Sequence, residues 1–268
     1  DIIYNYKDFS SNSIPDGWIW QDLGNYYGAG ADILNWQENQ YEILLRSGNE
    51  IGSKVEILGA NPYFVNELKA SVKGSGDNAY VYFPKGITPS LISGTIPVGE
   101  SAFKISASDP DALQNFLLLF GHFLNLQGVK GKDLGIPTRH YIDEQSKIYS
   151  SSIPISTHYS PTLDSIIYWL NKKSINLYAE ALIKTFAYEK KGFGNTDSGV
   201  SIVKDFWKQK GLDEDELNIS DGSGLSPQNR VTTHAQVEIL KYAKTRSWFP
   251  YFYQSLPEYN GMVMKSGT

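Results

Sequence analysis

Asp221-Gly222-Ser223-Gly224-Leu225-Ser226, with Asn229-Arg230 a short step further on, is the stretch on which the reading of this chain turns. Locally it is a tight glycine turn. Two glycines in four residues accept backbone angles closed to other residues, and Asp and Ser side chains bond back to neighbouring N–H groups. A structural role for Asp221 is favoured on those grounds. Helix-forming windows flank the turn: Val200 to Lys210, closed by Gly211, and Thr233 to Lys244, opened by a threonine cap.

Further upstream, Ser160-Pro161 starts a helix with a hydroxyl cap and a proline in the first turn, and Leu163, Ile166, Ile167 and Leu170 share one of its faces. Another helix follows from about Ser174. Asp109-Pro110 opens one more, in which Leu113, Leu117, Phe120 and Leu124 recur at helical spacing until Gly128. Its apolar run from Asn115 to Leu126 is too short for a membrane span and is broken by Gly121, His122 and Asn125, so it reads as a buried helix. Before residue 110 the pattern is β: Gln40 to Arg46, Lys54 to Leu58, Ala79 to Phe83 and Ala102 to Ala107 are β-rich runs between Gly, Pro, Asn and Ser clusters. The last residues, Gly261 to Thr268, read as a strand. The fold class is therefore α+β, with a shift from strands to helices between residues 110 and 150 and a candidate seam at Ser150-Ser151-Ser152-Ile153-Pro154.

Composition sets limits on function. Of 268 residues, 41% are hydrophobic and 20% charged, which is globular material with enough chain for a real core. The net charge is −5, and no basic run is denser than Lys172-Lys173 or Lys190-Lys191, so there is no electrostatic case for nucleic acid. Cysteine is absent, which excludes disulfides, thiolate nucleophiles and Cys-ligated zinc. His122, His140, His158 and His234 are too scattered to form a metal pair at helical spacing, and no metal or cofactor is expected. No signal peptide opens the chain at Asp1, which leaves a mature or truncated product and a cytosolic protein equally open.

Three short signals occur in order: Ser174-Ile175-Asn176, the D-G-S-G-L-S string, and Lys265-Ser266-Gly267-Thr268. S-x-N also occurs at Ser10-Asn12 and Ser47-Asn49, so the order and the flanks count for more than the matches. Those flanks are distinctive. Asn171 to Glu180 (N-K-K-S-I-N-L-Y-A-E) resembles the S-x-N helix of the class C penicillin-binding protein 4 family, serine D-alanyl-D-alanine carboxypeptidases and endopeptidases. D-G-S-G-L-S is similar to that family's most characteristic string, and Ser255-Leu256-Pro257 before K-S-G-T fits as well. Ile14 to Ala29 and Gly94-Thr95-Ile96-Pro97 resemble the domains that the family inserts between its first two catalytic motifs. The likeness covers essentially the whole chain.

The resemblance implies that residues 1–145 are an inserted β-rich accessory region in two lobes, and 146–268 an incomplete transpeptidase/β-lactamase-like domain of helices on an antiparallel sheet. It implies an enzyme of the periplasm or cell envelope without metal or cofactor, acting on peptidoglycan stem peptides through an acyl-serine and meeting β-lactam antibiotics at the same site. Ser174 would relay a proton to the departing D-alanine, and Asn176 would orient the substrate carbonyl and the base lysine. Lys265 would supply positive potential. Ser266 and Thr268 would offer hydroxyls to the terminal carboxylate, and Gly267 would let the substrate backbone lie beside the strand. Thr is the commoner residue at position 266 in the family, and both side chains carry a β-hydroxyl.

The nucleophile motif S-x-x-K matches twice, at Ser101 to Lys104 and Ser201 to Lys204. Around Ser101 the alternation of Phe103, Ile105 and Ala107 is strand-like, and positions i and i+3 of a strand face opposite ways. Ser201 follows S-x-N and so reverses the family order. The expected nucleophile lies upstream of Asp1. Two rivals come from other classes: a non-catalytic peptidoglycan-binding or scaffolding relative, and a glycan-binding module suggested by 18 Tyr and 6 Trp, with Trp18, Trp20, Tyr26 and Tyr27 clustered.

Overall fold

Alternation in Gln40–Arg46 is the clearest local signal in the chain, and in the computed structural model it becomes strand β1, with Ile43 and Leu45 fully buried and Leu44 and Arg46 turned out. The structure describes residues 8–59, 64–86, 89–129 and 153–265. A single helical turn, α1 (Trp20–Leu23), precedes β1. After it come β2 (Glu56–Leu58), β3 (Phe64–Asn66), β4 (Lys69–Ser71), β5 (Asn78–Tyr82), β6 (Ser90–Pro97) and β7 (Phe103–Ser108). One sheet has the order β2-β1-β7, antiparallel throughout, with Leu44 opposite Leu58 and Ile43 opposite Ile105. In the other, β3 and β4 pair in parallel with successive halves of β6, and β5 pairs with it antiparallel. Ile43, Leu45, Val55, Leu68, Val81, Ile92, Ile96 and Ile105 form one continuous core. Each such side chain removed from water is worth roughly 1.5–3 kcal/mol.

This β-rich unit comprises Trp18–Gly30 and Leu34–Leu113, and the second compact unit comprises Asp1–Gly17, Ala31–Ile33 and Gln114–Thr268. The division falls in the first turn of helix α2 (Ala112–Leu126). The boundary expected at residues 145 and 146, and the serines at 150–152, lie outside the described residues. The expectation that α2 is a buried helix needs correction. Leu113 and Leu117 are buried, but Leu119, Phe123 and Leu126 are 52%, 55% and 69% exposed.

The helical unit continues with α3 (Leu163–Lys173), α4 (Asn176–Lys191) and α5 (Thr196–Gln209). The cap of α3 is Thr162, two residues beyond the expected Ser160, and α5 starts earlier than expected because Asn195 caps it, accepting from the Ser198 N–H at 2.8 Å. Helix α4 lies against α5, and Gly199 lets them approach: a Cβ there would sit 2.1 Å from the Ile183 carbonyl oxygen. Short strands β8 (Leu217–Asn218) and β9 (Arg230–Val231) pair antiparallel and enclose the D-G-S-G-L-S turn. Thr232 then caps α6 (Thr233–Lys244), its hydroxyl oxygen accepting from the Ala235 N–H at 3.0 Å. Leu212, Leu217 and Ala235 form a small core with Trp207, Ile219 and Ile239.

Toward the end of the chain a helix appears that the sequence did not suggest, and the strand expected over Gly261 to Thr268 is present at Met262–Val263. Helix α7 (Phe249–Ser255) has Pro250 in its first turn and packs on α3. Strands β10 (Glu258–Tyr259) and β11 (Met262–Val263) form a hairpin whose turn residues, Asn260 and Gly261, have φ of 50° and 75°. That is the left-handed pair an Asn-Gly hairpin turn requires. Among the described residues no helix is long and apolar enough to cross a membrane.

Candidate active site

Helix α3 ends on a residue that would ordinarily be glycine. Ser174 takes the left-handed conformation, φ 54° and ψ 50°, and its N–H bonds to the Leu170 carbonyl. For a side-chain-bearing residue this costs about 1–2 kcal/mol. The same geometry turns the chain sharply from α3 into α4, so that the Ser174 hydroxyl stands at the junction and Asn176, two residues on, opens the next helix half-buried.

Lys265 reaches this junction from 91 residues away, and its Nζ donates to Ser174 Oγ at 2.9 Å. The path that brings it there is well tied. Asn171 Nδ2 donates to Ser255 Oγ at 2.7 Å, and Lys172 Nζ donates to the Leu256 carbonyl, so the last turn of α3 holds Ser255-Leu256-Pro257. The Met264 N–H then donates to the Pro257 carbonyl at 2.9 Å, extending the β10–β11 hairpin by one rung and delivering the next residue, Lys265, to Ser174. Partial desolvation holds the Lys265 ammonium below the usual lysine pKa. A lysine that donates to a serine oxygen leaves the serine O–H free to be passed on, which is the arrangement a proton relay needs. Ser266, Gly267 and Thr268 lie outside the described residues.

The D-G-S-G-L-S turn is fixed from within by Asp221, which is 3% exposed. Its Oδ1 accepts from the Gly224 N–H at 2.7 Å and from Asn229 Nδ2 at 2.9 Å, and its Oδ2 accepts from the Ser226 N–H at 2.7 Å. Asn229 Oδ1 in turn accepts from the Ser220 N–H at 2.8 Å. The turn is also fixed from outside. A Cβ on Gly222 would lie 2.5 Å from the Ala179 carbonyl oxygen, and Glu180 Oε1 accepts from the Gly222 and Ser223 N–H groups at 3.0 and 2.7 Å.

Glu180 and Lys184 are residues to which the sequence reading gave no role. Both are on the inner face of α4, at 0% and 1% exposure, one helical turn apart. Burial pushes the Glu180 pKa up, and the nearby Asp221 charge adds to this against the bonds donated by the 222–223 turn. Lys184 Nζ donates to the Asn12 and Ala31 carbonyls at 2.8 and 2.6 Å; burial lowers its pKa, opposed by Asp32 and Glu180. Leu177, Glu180, Ile183, Lys184 and Ala187 trace one helical face, so the signal was available as two charges on an otherwise apolar stripe.

Neither S-x-x-K match has the geometry of a nucleophile and base. Ser101 sits in an exposed bend before β7, in the β-rich unit, and Lys104 pairs with Glu42 at 2.9 Å. Ser201 and Lys204 are on α5, but Ser201 Oγ faces Asp205 and Lys204 Nζ faces Asn218, each at 3.5 Å. They line a cavity of about 840 Å³ with Lys208, Asp213 and Arg230 that does not include Ser174, Asn176 or Lys265. Among the clustered aromatics, Trp18 belongs to the core, whereas Trp20 is 47% exposed with its ring 4.8 Å from that of Tyr82.

Comparison with known proteins gives a single direction. The model of the D-Ala-D-Ala carboxypeptidase 3 (S13) family matches residues 4–259. A D-alanyl-D-alanine carboxypeptidase of an Actinomadura species is 28% identical over 93% of this chain and 47% of its own length. The D-alanyl-D-alanine carboxypeptidase DacB of Haemophilus influenzae is 23% identical over 90% of this chain and 50% of its own. The crystal structure of penicillin binding protein 4 (dacB) from Haemophilus influenzae superposes with a TM-score of 0.68 at 18% identity, over 93% of this chain and 54% of that one. The same protein complexed with a β-lactam gives 0.60 at 17% identity, over 84% of this chain and 52% of that one. The chain thus spans about half the length of the curated relatives it matches.

Proposed function

The chain belongs to the D-Ala-D-Ala carboxypeptidase 3 (S13) family, and from that premise we propose that it is about half of a serine D-Ala-D-Ala carboxypeptidase of the periplasm or cell envelope. Its substrates are peptidoglycan stem peptides, with endopeptidase action where such peptides are cross-linked. The reaction is acyl transfer to a serine followed by hydrolysis, without metal or cofactor. The observation that carries the reading is the Lys265–Ser174 hydrogen bond, which joins two of the expected motifs at one point although they are 91 residues apart.

In this reading the nucleophile and its base, the S-x-x-K pair, are supplied by sequence upstream of Asp1. Attack on the carbonyl of the penultimate D-alanine forms the acyl-serine and expels the terminal D-alanine, whose amine must gain a proton as the C–N bond breaks. Ser174 passes that proton on, with Lys265 donating to its oxygen and favouring the developing negative charge. Asn176 orients the substrate carbonyl and the base lysine. Ser266 and Thr268 take the terminal carboxylate, and Gly267 leaves room for the substrate backbone. A β-lactam enters the same path and stops at the acyl-enzyme.

The test is labelling by a fluorescent penicillin. The full-length gene product is expected to label at an upstream serine, and Lys265→Ala to lose the label; the 268-residue chain alone is expected not to label. Undiminished labelling of Lys265→Ala, or labelling of the chain alone at Ser101 or Ser201, would overturn the proposal.

A further inference from the structure

Glu180 is an anomaly of this site. It is a fully buried carboxyl, its Oε2 has no hydrogen-bond partner among the described residues, and the acyl-transfer scheme above does not use it. Its Oε1 carries a double load, the N–H groups of both Gly222 and Ser223. It lies four residues after Asn176, so the two share one side of α4 at successive turns. We propose that Glu180 is a positioning residue: by fastening the D-G-S-G turn to α4 it fixes the first turn of that helix, and with it Asn176, in the acylating geometry. The proposal rests on the active-site reading given above.

Three observations support it independently. First, the turn and the helix are fitted to each other at backbone level, since a Cβ at Gly222 would come within 2.5 Å of the Ala179 carbonyl oxygen and 2.8 Å of Ile183 Cγ1. A displacement of the turn is therefore transmitted to α4 without slack. Second, the turn is a rigid body in its own right, braced by the Asp221 bonds to Gly224, Ser226 and Asn229. It can act as a stop rather than a cushion. Third, the next turn of the same face is anchored too, through Lys184 to the Asn12 and Ala31 carbonyls. With Lys184 fixing the middle of α4 and Glu180 the turn before it, the position left to be set on this side is the N-terminal turn that carries Asn176.

The charged and titratable groups facing Glu180 are Asp221 from the turn and Lys184 from its own helix. Burial, with Asp221 adding to it, favours the neutral acid against the hydrogen bonds from the Ser223 side chain and the turn N–H groups, and those two N–H groups need only an oxygen lone pair on Oε1. An amide of the same shape offers that lone pair, so Gln is the informative replacement and Ala the disruptive one.

The experiment uses the full-length gene product and follows acylation by a fluorescent penicillin over a range of concentrations, separating the saturating acylation rate from the apparent dissociation constant. Glu180→Ala is expected to lower the rate at least about tenfold, since displacement of an orienting group by an ångström can cost up to 10²-fold. Glu180→Gln is expected to recover the wild-type rate to within about threefold, and the dissociation constant should move less than the rate in both variants. Gly222→Ala, which pushes the same turn off α4 while leaving Glu180 itself unchanged, is expected to reproduce the rate loss and supplies the test if Glu180→Ala does not fold. A wild-type rate in folded Glu180→Ala or Gly222→Ala, with Lys265→Ala inactive, would overturn the positioning role while leaving the activity intact. A Gln variant as slow as the Ala variant would overturn it as well, because the shape would then not be what matters. Full labelling of Lys265→Ala would instead bring down the reading of the site itself.

Discussion

Asp221→Ala is the substitution whose cost the structure specifies most fully. The carboxylate is buried and accepts three hydrogen bonds, and alanine leaves all three donors behind. They are not equivalent. Ser226 is 2% exposed, so its N–H stays unpaired, whereas Gly224 is exposed and its N–H regains water. Asn229 is intermediate: its Nδ2 also donates to the Ser226 carbonyl at 2.9 Å and keeps that partner. A stranded buried donor costs about 1–3 kcal/mol, and more when its partner was charged, so the Ser226 N–H and part of the other two sum to about 4 kcal/mol. Relief of the Asp221 charge on Glu180 works in the opposite direction, so the net loss falls below that sum, to about 3 kcal/mol. With a slope of about 2–3 kcal/mol per molar urea, the unfolding midpoint should fall by about 1 M. Tryptophan fluorescence is a suitable readout because Trp207 packs on the small core beside the turn. A shift below about 0.3 M would refute the view of Asp221 as the internal brace of the turn.

Ser174→Gly should raise the melting temperature, because it relieves a left-handed serine worth about 1 kcal/mol, and yet abolish penicillin labelling of the full-length protein by removing the oxygen that Lys265 binds; a loss of stability would contradict the strain. Gly199→Ala should destabilise by about 3 kcal/mol or more, since its Cβ meets the Ile183 carbonyl at 2.1 Å and α5 must move off α4, and an unchanged melting curve would show that the helices are not in close contact. For Glu180 the pH dependence has a definite sign. Its folded pKa lies above the ordinary glutamate value, so the unfolded chain loses the proton first, and stability falls as pH rises from the ordinary value through the folded one. Glu180→Gln should remove that part of the fall, and identical pH–stability curves would refute it.

The parts of the fold that showed in the sequence are those whose periodicity runs long enough to be counted. Gln40–Arg46 alternates over seven residues, and Leu163, Ile166, Ile167 and Leu170 recur over two turns. Strands β3 and β4 have three residues each and exist because β6 pairs with both, a long-range cause that no local window contains. Strand β6 was hidden by its own residues, since Ser90–Pro97 includes Gly94 at φ 104° and ends on Pro97, both ordinarily strand breakers. Helix α7 was hidden by composition: Phe249, Tyr251, Phe252 and Tyr253 have strand propensity, and packing on α3 decides for the helix. Asn260-Gly261 was a readable turn signal, but only two residues pair on either side of it.

The site divides along a different line. Ser174, Asn176 and Lys265 were singled out by motif order, which stands in for proximity when a fold is shared; the Lys265–Ser174 bond brings two of them together, and the roles proposed for all three rest on the family resemblance. What motif order does not carry is the support beneath the motifs. A glutamate and a lysine one turn apart look like a solvent-facing helix pair, worth a few tenths of a kcal/mol. Here they face inward, and each spends its polar atoms on backbone groups of other segments. This also gives the D-G-S-G-L-S string a physical meaning. Gly222 is required because a helix backbone occupies the place of its side chain, and Asp221 because the turn must keep its shape when pressed against that helix. In the proposed site the string braces rather than lines: it is the surface to which Glu180 ties α4, the helix that opens with Asn176.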